Sequence, residues 1–468
     1  MDPVLRSIRD RDFSRLDASG QVYLDHTGSA LYPESLVRAH AERLCSTVFG
    51  NPHSRSPASR VATELCDAAR RRILDYFGGD PDEYEVIFTP NATGGLRLVG
   101  EGYPFGPGGR LRMTADNHNS VNGIREYALA RGADVKYIPI GPDLRVADLE
   151  AQLEGADPAV PNLFAYPAQS NFSGVQHPLD WIELARALGY DVLLDAAAFV
   201  PTNRLDLSRV KPDFAAVSFY KMFGYPTGIG ALLARREALA KLRRPWFGGG
   251  TVRFASAQNP VHIMYRHAAA FEDGTLNFLD IAAVPDGLDY LERIGIDRIH
   301  EHVQALTRLL LDRLLGLRHA NGAPLVRLYG PQTTDGRGGT VAFNLLSAEG
   351  KVIDCRLVER AAIEAGISIR TGYFCNPGAA EASFELPDRE ALRCYEELAG
   401  DDFTLQQFSA CLDDRPVGAI RVSLGLSSSV DDVERLIGLL VELRDRFANG
   451  PAVGAGRVAQ SGADAGTG

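Results

Sequence analysis

The stretch Tyr190-Asp191-Val192-Leu193-Leu194-Asp195 is a short apolar run that ends in a carboxylate. A second run, Ala216-Val217-Ser218-Phe219-Tyr220-Lys221, brings a lysine to the end of another apolar segment. Short apolar runs are typical of buried strands, and the sites of open α/β sheets gather at the carboxyl ends of such strands. We therefore expect Asp195 and Lys221 to lie near each other at one edge of a sheet.

A carboxylate and an amine in this arrangement are what pyridoxal phosphate requires. The carboxylate keeps the ring nitrogen protonated, so that the ring withdraws electrons, and the lysine forms a Schiff base with the aldehyde. Each residue alone has another explanation, because strand-end carboxylates cap helices and lysines before turns are often solvated. The pair together favours the cofactor. A dinucleotide site is disfavoured, since no GxGxxG stretch opens a βα unit.

Size and charge limit the class of protein. The chain has 468 residues, 45% of them hydrophobic, which is enough for two or three domains. Its net charge of -11 argues against a nucleic-acid binder. We find no run of the roughly 20 apolar residues that a membrane span needs, and no signal-peptide core at the start. We therefore expect a cytoplasmic protein without membrane contact.

The cysteines favour neither a disulfide framework nor a zinc module, because six in so long a chain include no CxxC pair. We expect no metal site. Most of the cysteines are expected to be buried thiols, with Cys355, Cys394 and Cys411 packing in helix-like segments. The remaining cysteines are Cys45, Cys66 and Cys375.

Strands and helices alternate from about residue 21 to 280, which predicts a mostly parallel sheet covered by helices. A smaller α+β section follows. It is predicted to contain one long helix over 287–317, a strand over 339–344 and a final helix over 430–447. The segment 377–399 is acidic and loop-like, and its role stays open between a lid and a plain surface excursion.

Four parts of the chain follow from this pattern. We expect residues 1–24 to form an N-terminal segment that packs on the small domain. Residues 25–284 are expected to form the large domain and 285–448 the small one. Residues 449–468 are too poor in large apolar side chains to offset the entropy of ordering, which predicts a disordered tail.

Three turns after predicted strands carry further polar groups. Thr89-Pro90-Asn91-Ala92-Thr93-Gly94 opens a helix whose amides suit a phosphate, with Thr93 as a side-chain donor, although an ordinary capped turn has the same composition. His118 follows the strand-like run 111–113. An imidazole at this place can stack on a ring and relay protons; a surface histidine in a polar turn is the alternative. Asn171 is placed to hydrogen-bond the ring hydroxyl.

Cys375 stands out in Arg370-Thr371-Gly372-Tyr373-Phe374-Cys375-Asn376-Pro377-Gly378. A reactive cysteine needs exposure and a positive neighbour, and a polar turn close to Arg370 fits both needs. A structural thiol fits the same composition equally well. Downstream, Arg421 lies in a short predicted strand; its guanidinium fork suits an α-carboxylate, and a surface charge is the alternative.

Taken in order, these stretches resemble the class V, fold-type I pyridoxal-phosphate enzymes, and most closely the aminotransferase-like domain of molybdenum cofactor sulfurases. The matching stretches run through most of residues 21–426. They include Tyr23-Leu24-Asp25-His26, Gly50-Asn51-Pro52-His53-Ser54, Asn117-His118-Asn119-Ser120-Val121, Ser218-Phe219-Tyr220-Lys221 and Phe247-Gly248-Gly249-Gly250-Thr251. The resemblance implies a seven-stranded, mostly parallel sheet in the large domain and an α+β C-terminal domain.

The resemblance also implies a role for each candidate residue. Lys221 would be the Schiff-base lysine, Asp195 the partner of the ring nitrogen and His118 the stacking imidazole. The phosphate would be held by Ala92, Thr93 and Ser218, with Thr251 contributed from the other subunit of a homodimer. Substrate would be bound by Arg421, Arg370 and His53.

Two residues depart from the pattern of the better-known cysteine desulfurases. Ala198 stands where many of them have a glutamine, and Tyr220 where many have a histidine. Both agree with the molybdenum cofactor sulfurase pattern, which leaves Asn171 as the main candidate for the ring hydroxyl.

The implied reaction takes sulfur from L-cysteine as a persulfide on Cys375, releases L-alanine and passes the sulfur to an acceptor protein or small molecule. The alternative is another class V reaction, such as that of a C-S lyase, an aminotransferase or an epimerase-like enzyme. A non-catalytic sulfur-relay or scaffold protein that has kept the fold is a further alternative.

Overall fold

A computed structural model describes residues 2–386, 388–400, 403–412 and 417–448. The predicted tail, 449–468, lies outside the described residues. The strands are β1 (Val22–Tyr23), β2 (Tyr84–Thr89), β3 (Arg110–Thr114), β4 (Asp134–Ile138), β5 (Asn162–Pro167), β6 (Asp191–Asp195), β7 (Phe214–Ser218), β8 (Gly230–Arg235), β9 (Val252–Ala255), β10 (His262–Met264), β11 (Val326–Tyr329), β12 (Thr340–Leu345), β13 (Ile367–Ser368), β14 (Arg370–Gly372) and β15 (Ala419–Ser423).

Helices cover these strands on both sides. They are α1 (Pro3–Asp12), α2 (Ser14–Ser19), α3 (Glu34–Ser46), α4 (Pro57–Tyr76), α5 (Ala92–Gly102), α6 (Asn119–Asn122), α7 (Ile124–Ala130), α8 (Leu149–Leu153), α9 (Trp181–Ala187), α10 (Phe219–Phe223), α11 (Arg236–Leu239), α12 (Phe278–Ile281), α13 (Val284–Ile294), α14 (Ile296–Gly316), α15 (Cys355–Glu364), α16 (Pro377–Phe384), α17 (Asp388–Leu398), α18 (Leu405–Cys411) and α19 (Val430–Ala448). A 3₁₀ turn spans His267–Ala270.

The main sheet has seven strands in the order β2-β8-β7-β6-β5-β3-β4. Strand β8 runs antiparallel to both neighbours, while β7, β6, β5, β3 and β4 are parallel to one another. The expectation of a mostly parallel sheet of seven strands is therefore confirmed. Strands β5 and β7 are buried along their whole length, as apolar runs between two layers of helices should be.

A smaller antiparallel sheet has the order β11-β12-β15-β14. The N-terminal segment lies against this part of the chain, because β1 pairs in parallel with β13. The buried Arg9 of α1 also donates to the Ser427 carbonyl and pairs with Asp432 at 2.6 Å. The domain boundaries themselves stay a prediction.

The single helix predicted over 287–317 is wrong. Two helices, α13 and α14, meet at Gly295, whose φ of 91° and ψ of 117° lie outside the helical region. The apolar periodicity continues on both sides of the break, so periodicity alone does not reveal it. The glycine between two isoleucines was the available signal, since glycine tolerates positive φ.

The loop-like interpretation of 377–399 is also wrong, because most of this segment is helical. Helix α16 begins with Pro377 after Asn376, whose side chain accepts a hydrogen bond from the Ala379 amide. Helices α17 and α18 share a small apolar cluster and are joined by a disulfide between Cys394 and Cys411. These two cysteines are therefore not the packing thiols predicted, whereas Cys66 and Cys355 are buried thiols.

Neither a membrane span nor a metal centre is evident in the described ranges. No helix there is long and apolar enough to cross a bilayer. No group of three or more His, Cys, Asp or Glu side chains in the same ranges is placed to hold a metal ion.

Gly287 sets how closely α13 approaches α10. A Cβ atom at this position would lie 2.2 Å from Cε2 of Phe223, which is a fully buried ring. We expect Gly287→Ala to lower the free energy of unfolding by about 1–3 kcal/mol, because an overpacked core must shift its backbone or side chains. Urea denaturation measures the change.

Gly316→Ala is the matched control. It lies at the exposed end of α14 with no heavy atom within 4 Å of its Cβ position, so alanine there should leave stability unchanged or slightly higher. Equal stability of the two variants would contradict the close contact between α13 and α10.

Candidate active site

Charged side chains from separate elements converge at the carboxyl edge of the parallel strands. Lys221 lies within electrostatic range of Asp195, Arg421, Cys375 and Arg370. His118 is within range of Lys221, Asp195 and Arg421. The predicted meeting of Asp195 and Lys221 at one sheet edge agrees with this geometry, because β6 and β7 are adjacent and parallel.

Asp195 is the last residue of β6 and is buried. Its Oδ1 accepts a hydrogen bond from the Ala197 amide at 3.0 Å. Within the described part of the chain, no hydrogen bond reaches Oδ2. One carboxylate oxygen thus fixes the rotamer, and the other is left to accept a bond from a cationic N–H.

Lys221 is held on α10, directly after β7. Burial lowers the pKa of its amine; the charges of Asp195 and Cys375 oppose the shift, and those of Arg421 and Arg370 add to it. The turn that follows is tight, because Gly224 has a φ of 78° and a Cβ there would lie 2.3 Å from the Tyr32 nitrogen. A lysine with a lowered pKa is a better nucleophile and base at neutral pH.

His118 caps α6, and its Nδ1 accepts a hydrogen bond from the Ser120 amide at 3.1 Å. The neutral ring therefore carries its proton on Nε2. Burial, together with the positive charges of Lys221 and Arg421, lowers the pKa of His118 to about 4, although Asp195 opposes the shift. The imidazole is neutral at physiological pH.

An anion cradle is formed where α5 begins. The Ser218 hydroxyl accepts from the Ala92 amide at 2.8 Å, and the hydroxyls of Thr93 and Ser120 lie 2.7 Å apart. A Cβ at Gly230 would lie 2.6 Å from the Asn91 backbone, so this glycine lets β8 approach the turn. Hydroxyls and amides at the positive end of a helix favour a phosphate.

Ser120 is a member of this cradle that the sequence prediction missed. It touches both the imidazole of His118, at 3.0 Å from Nδ1, and the hydroxyl of Thr93. Its position two residues after His118, at the start of a short helix, was the available signal.

The Asn171 amide is hydrogen-bonded at both ends. Its Nδ2 donates to the Phe374 carbonyl at 2.6 Å, and its Oδ1 accepts from Asn376 at 2.9 Å. Both ends of the amide thus hold the loop that carries Cys375. One N–H and one lone pair of this amide remain, so the expected bond to a ring hydroxyl is compatible with both contacts and stays a prediction.

The Cys375 loop has an uncommon backbone. Phe374 and Cys375 both have positive φ, 55° and 53°. The Cys375 carbonyl accepts from the Asn119 amide at 2.7 Å, which ties the loop to the His118 turn. The half-buried thiol lies within electrostatic range of Lys221, Arg370 and Arg421. Exposure and positive neighbours were the two properties expected of a reactive thiol.

Arg421 and Arg370 share the carboxylate of Asp25. Arg421 Nη2 lies 2.7 Å from Oδ1, and Arg370 Nη2 lies 2.7 Å from Oδ2. Burial lowers the pKa of Arg421, while the bond to Asp25 raises that of Arg370. Burial alone would raise the pKa of Asp25, but the two arginines outweigh it and hold that pKa below its usual value. The sequence prediction missed Asp25, although Tyr23-Leu24-Asp25-His26 is among the quoted stretches.

Thr251 and His53 are linked through the glycine-rich stretch and Gly274. His53 Nε2 is 3.3 Å from the Gly274 carbonyl, and the Gly274 amide donates to Gly249 in the glycine-rich stretch that leads to Thr251. Thr251 itself is buried and exchanges hydrogen bonds with Gly248. The exposed His53 and the buried Thr251 are thus connected through the hydrogen bond between Gly274 and Gly249.

The residues at the sheet edge fit pyridoxal phosphate. Asp195 has a free carboxylate oxygen for the ring nitrogen, Lys221 has an amine with a lowered pKa for the aldehyde, and the start of α5 suits the phosphate. The neutral imidazole of His118 suits a stacking contact, because it adds no positive charge next to a ring that must carry one.

Known proteins resemble the chain in sequence. The family model for class-V aminotransferases matches residues 22–436. The molybdenum cofactor sulfurase of Bos taurus is 37% identical over 472 residues, which cover 95% of this chain and 52% of the relative. That of Arabidopsis thaliana is 37% identical over 489 residues, 96% of this chain and 58% of the relative. The chain spans about half the length of these relatives.

Solved structures share the fold. A cysteine desulfurase from Thermococcus onnurineus aligns with a TM-score of 0.77 at 24% identity, covering 94% of this chain and 98% of that one. The cysteine desulfurase CsdA from Escherichia coli aligns with a TM-score of 0.71 at 22% identity, covering 94% and 99%. The fold-type I architecture expected from the sequence is confirmed.

Replacing His118 with Asn should make the free energy of unfolding less dependent on pH in the acid range. A folded-state pKa of about 4, below the usual 6.5, means that the unfolded chain binds the proton first. The wild type therefore loses stability as pH falls from 6.5 toward 4, and the variant loses less. Asparagine still accepts the Ser120 amide as a helix cap. Urea denaturation across this pH range measures both proteins.

The exposed His53→Asn is the matched control and should lose stability with acid as the wild type does. Parallel pH profiles for His118→Asn and the wild type would show that His118 is not protected from protonation in the folded protein.

Proposed function

Since the chain belongs to the class-V aminotransferase family, we propose that it is a pyridoxal-phosphate-dependent sulfurtransferase that takes sulfur from L-cysteine. It releases L-alanine and passes the sulfur to an acceptor protein or small molecule. One observation carries this proposal: a half-buried thiol, Cys375, on a loop beside Lys221 and the two arginines that suit an amino-acid carboxylate. The sulfur-handling activities in the names of the relatives and of the structural neighbours support it.

Arg421 orients the substrate. Its Nε is buried and makes no hydrogen bond in the described part of the chain, so a donor remains for a substrate carboxylate. Bound pyridoxal phosphate supplies an electron-withdrawing ring, which makes the α-hydrogen of an attached amino acid acidic. The Lys221 amine, with its lowered pKa, is the base that takes this proton.

Cys375 supplies the sulfur nucleophile. Its thiolate attacks the sulfur of the substrate; the new S–S bond forms as the Cβ–S bond breaks, and the electron pair left on Cβ takes a proton to give alanine. The guanidinium groups of Arg370 and Arg421 lie within electrostatic range of this sulfur. Holding thiolate and substrate in line is worth on the order of 7–11 kcal/mol at best, because it turns an encounter into a local step.

A homodimer is part of the proposal, with Thr251 and His53 completing the partner's site. Large apolar side chains are exposed near Thr251; they include Trp246 at 59%, Phe254 at 55% and Ile263 at 58% exposure. Such a patch is typical of a surface that a second subunit covers. Residence in the cytoplasm stays a prediction, which the Cys394–Cys411 disulfide does not favour, because cytosolic disulfides are rare.

Cys375→Ser should abolish alanine formation from L-cysteine, because serine cannot form a persulfide. Cofactor binding, followed by absorbance, should be unchanged. Mass spectrometry of the wild type after exposure to L-cysteine should find the added sulfur on Cys375. The exposed Cys45→Ser is the matched control and should keep full activity.

Full alanine formation by Cys375→Ser would refute the proposal. Release of pyruvate and sulfide by that variant would assign a C-S lyase reaction in its place. Transamination or racemisation of amino acids by both proteins, without alanine from cysteine, would assign one of the other class V reactions.

Mixed dimers test the role of Thr251. Lys221→Ala and Thr251→Val should each be inactive as purified proteins. Dissociating and reassociating the two variants together should restore activity that neither shows alone, because one site of each hybrid then has native Lys221 and native Thr251. A mixture that stays inactive despite forming hybrids would show that both residues serve the same protomer.

A further inference from the structure

Two arginines lie directly opposite each other on neighbouring strands. The register of β14 and β15 pairs Arg370 with Arg421. Like charges in such cross-strand pairs repel, and one of the two is buried. This arrangement needs an anion between them, and Asp25 provides it.

Asp25 is fixed in place by its backbone. It forms an isolated bridge with Ser423 at the end of β15, and its carbonyl accepts from Gly28 and Ser29 at 3.0 and 3.2 Å. A Cβ at Gly28 would lie 2.6 Å from Asp25 Oδ2 and 2.8 Å from Arg370 Nη2, so only glycine leaves room for the ion pair. The carboxylate is thus a permanent part of the pocket.

Apart from the neighbouring Asp195 and Lys221, the charge of this cluster is the sum of two guanidinium groups and one carboxylate, which leaves a single positive charge. His118 adds none at neutral pH. One substrate carboxylate therefore balances the cluster. A second anionic group on the substrate would stay unbalanced in a partly buried site, where charges are poorly screened.

We propose that Asp25 sets the charge specificity of the site, so that the pocket accepts ligands with one carboxylate and disfavours ligands with a second anionic group. The inference deepens the proposed function, on which it rests, by naming the substrate class as amino acids with a single carboxylate. Asp25 is a specificity-determining residue that acts through Arg370 and Arg421 and does not itself contact the reacting atoms.

Binding of propionate and succinate measures this charge preference without any reaction, because neither acid has an amino group. The thermal shift of the full chain, with and without pyridoxal phosphate, is recorded at low ionic strength for each acid. We expect Asp25→Asn to raise the affinity for succinate relative to propionate by on the order of tenfold, because the cluster gains one positive charge. Asp17→Asn removes a carboxylate from Arg9 instead and should leave the ratio unchanged.

Charge restoration separates this role from a merely structural one. Arg370→Gln changes a side chain that is 47% exposed. It should lower the affinity for succinate relative to propionate, because the cluster loses one positive charge. The double variant Asp25→Asn with Arg370→Gln has the native net charge and should return to the wild-type ratio. A purely geometric role for Asp25 would not be rescued by removing its partner.

An unchanged ratio in Asp25→Asn, or a double variant that does not return to the wild-type ratio, overturns the inference. Should Asp25→Asn fail to fold, Arg370→Gln alone decides: an unchanged ratio there also overturns it. The proposed function is judged separately. Native charge preference without alanine formation refutes the sulfurtransferase, whereas alanine formation with an unchanged ratio refutes only the role of Asp25.

Discussion

Desolvation of the Lys221 amine is the constraint on which the site depends. A lysine at the surface is protonated at neutral pH and serves poorly as a nucleophile or base, whereas burial between β7 and the loops above it lowers the pKa of Lys221. Asp195 lies close enough to hold a cationic ring but only partly offsets the shift. The adjacent parallel strands β6 and β7 bring the two residues together, so the chemistry follows from the topology of the sheet.

The second requirement is docking of the smaller sheet against the larger one. Arg421 on β15 donates to the Asn171 carbonyl at 3.1 Å, and the Asn171 amide holds the Cys375 loop. Asp25, next to the N-terminal strand, then joins the two arginines. Substrate-binding, nucleophilic and cofactor groups thus come from parts of the chain that are distant in sequence, and each is placed by contacts with the others.

The local sequence pattern was sufficient to predict the sheet and the residues that follow its strands, because neighbouring residues determine where strands end and where βα turns form. Asp195, Lys221 and His118 were proposed as site residues this way, and Arg421 was proposed from a short strand of its own; their roles stay predictions. Contacts between distant parts of the chain could not be predicted from the local pattern. Asp25 pairs with Arg421, 396 residues away, and the Cys394–Cys411 disulfide depends on how two short helices pack. Gly295 was misjudged because apolar periodicity continues through the helix break.

The lysine that reacts with pyridoxal phosphate can be located directly. The protein is incubated with the cofactor and reduced with borohydride, and peptide mass mapping identifies the lysine that carries the pyridoxyl group. We expect Lys221 to carry it, because burial lowers the pKa of its amine and Asp195 lies within electrostatic range. Labelling confined to Lys211 and Lys241, whose side chains are 43% and 50% exposed, with Lys221 unmodified, would show that Lys221 does not hold the cofactor.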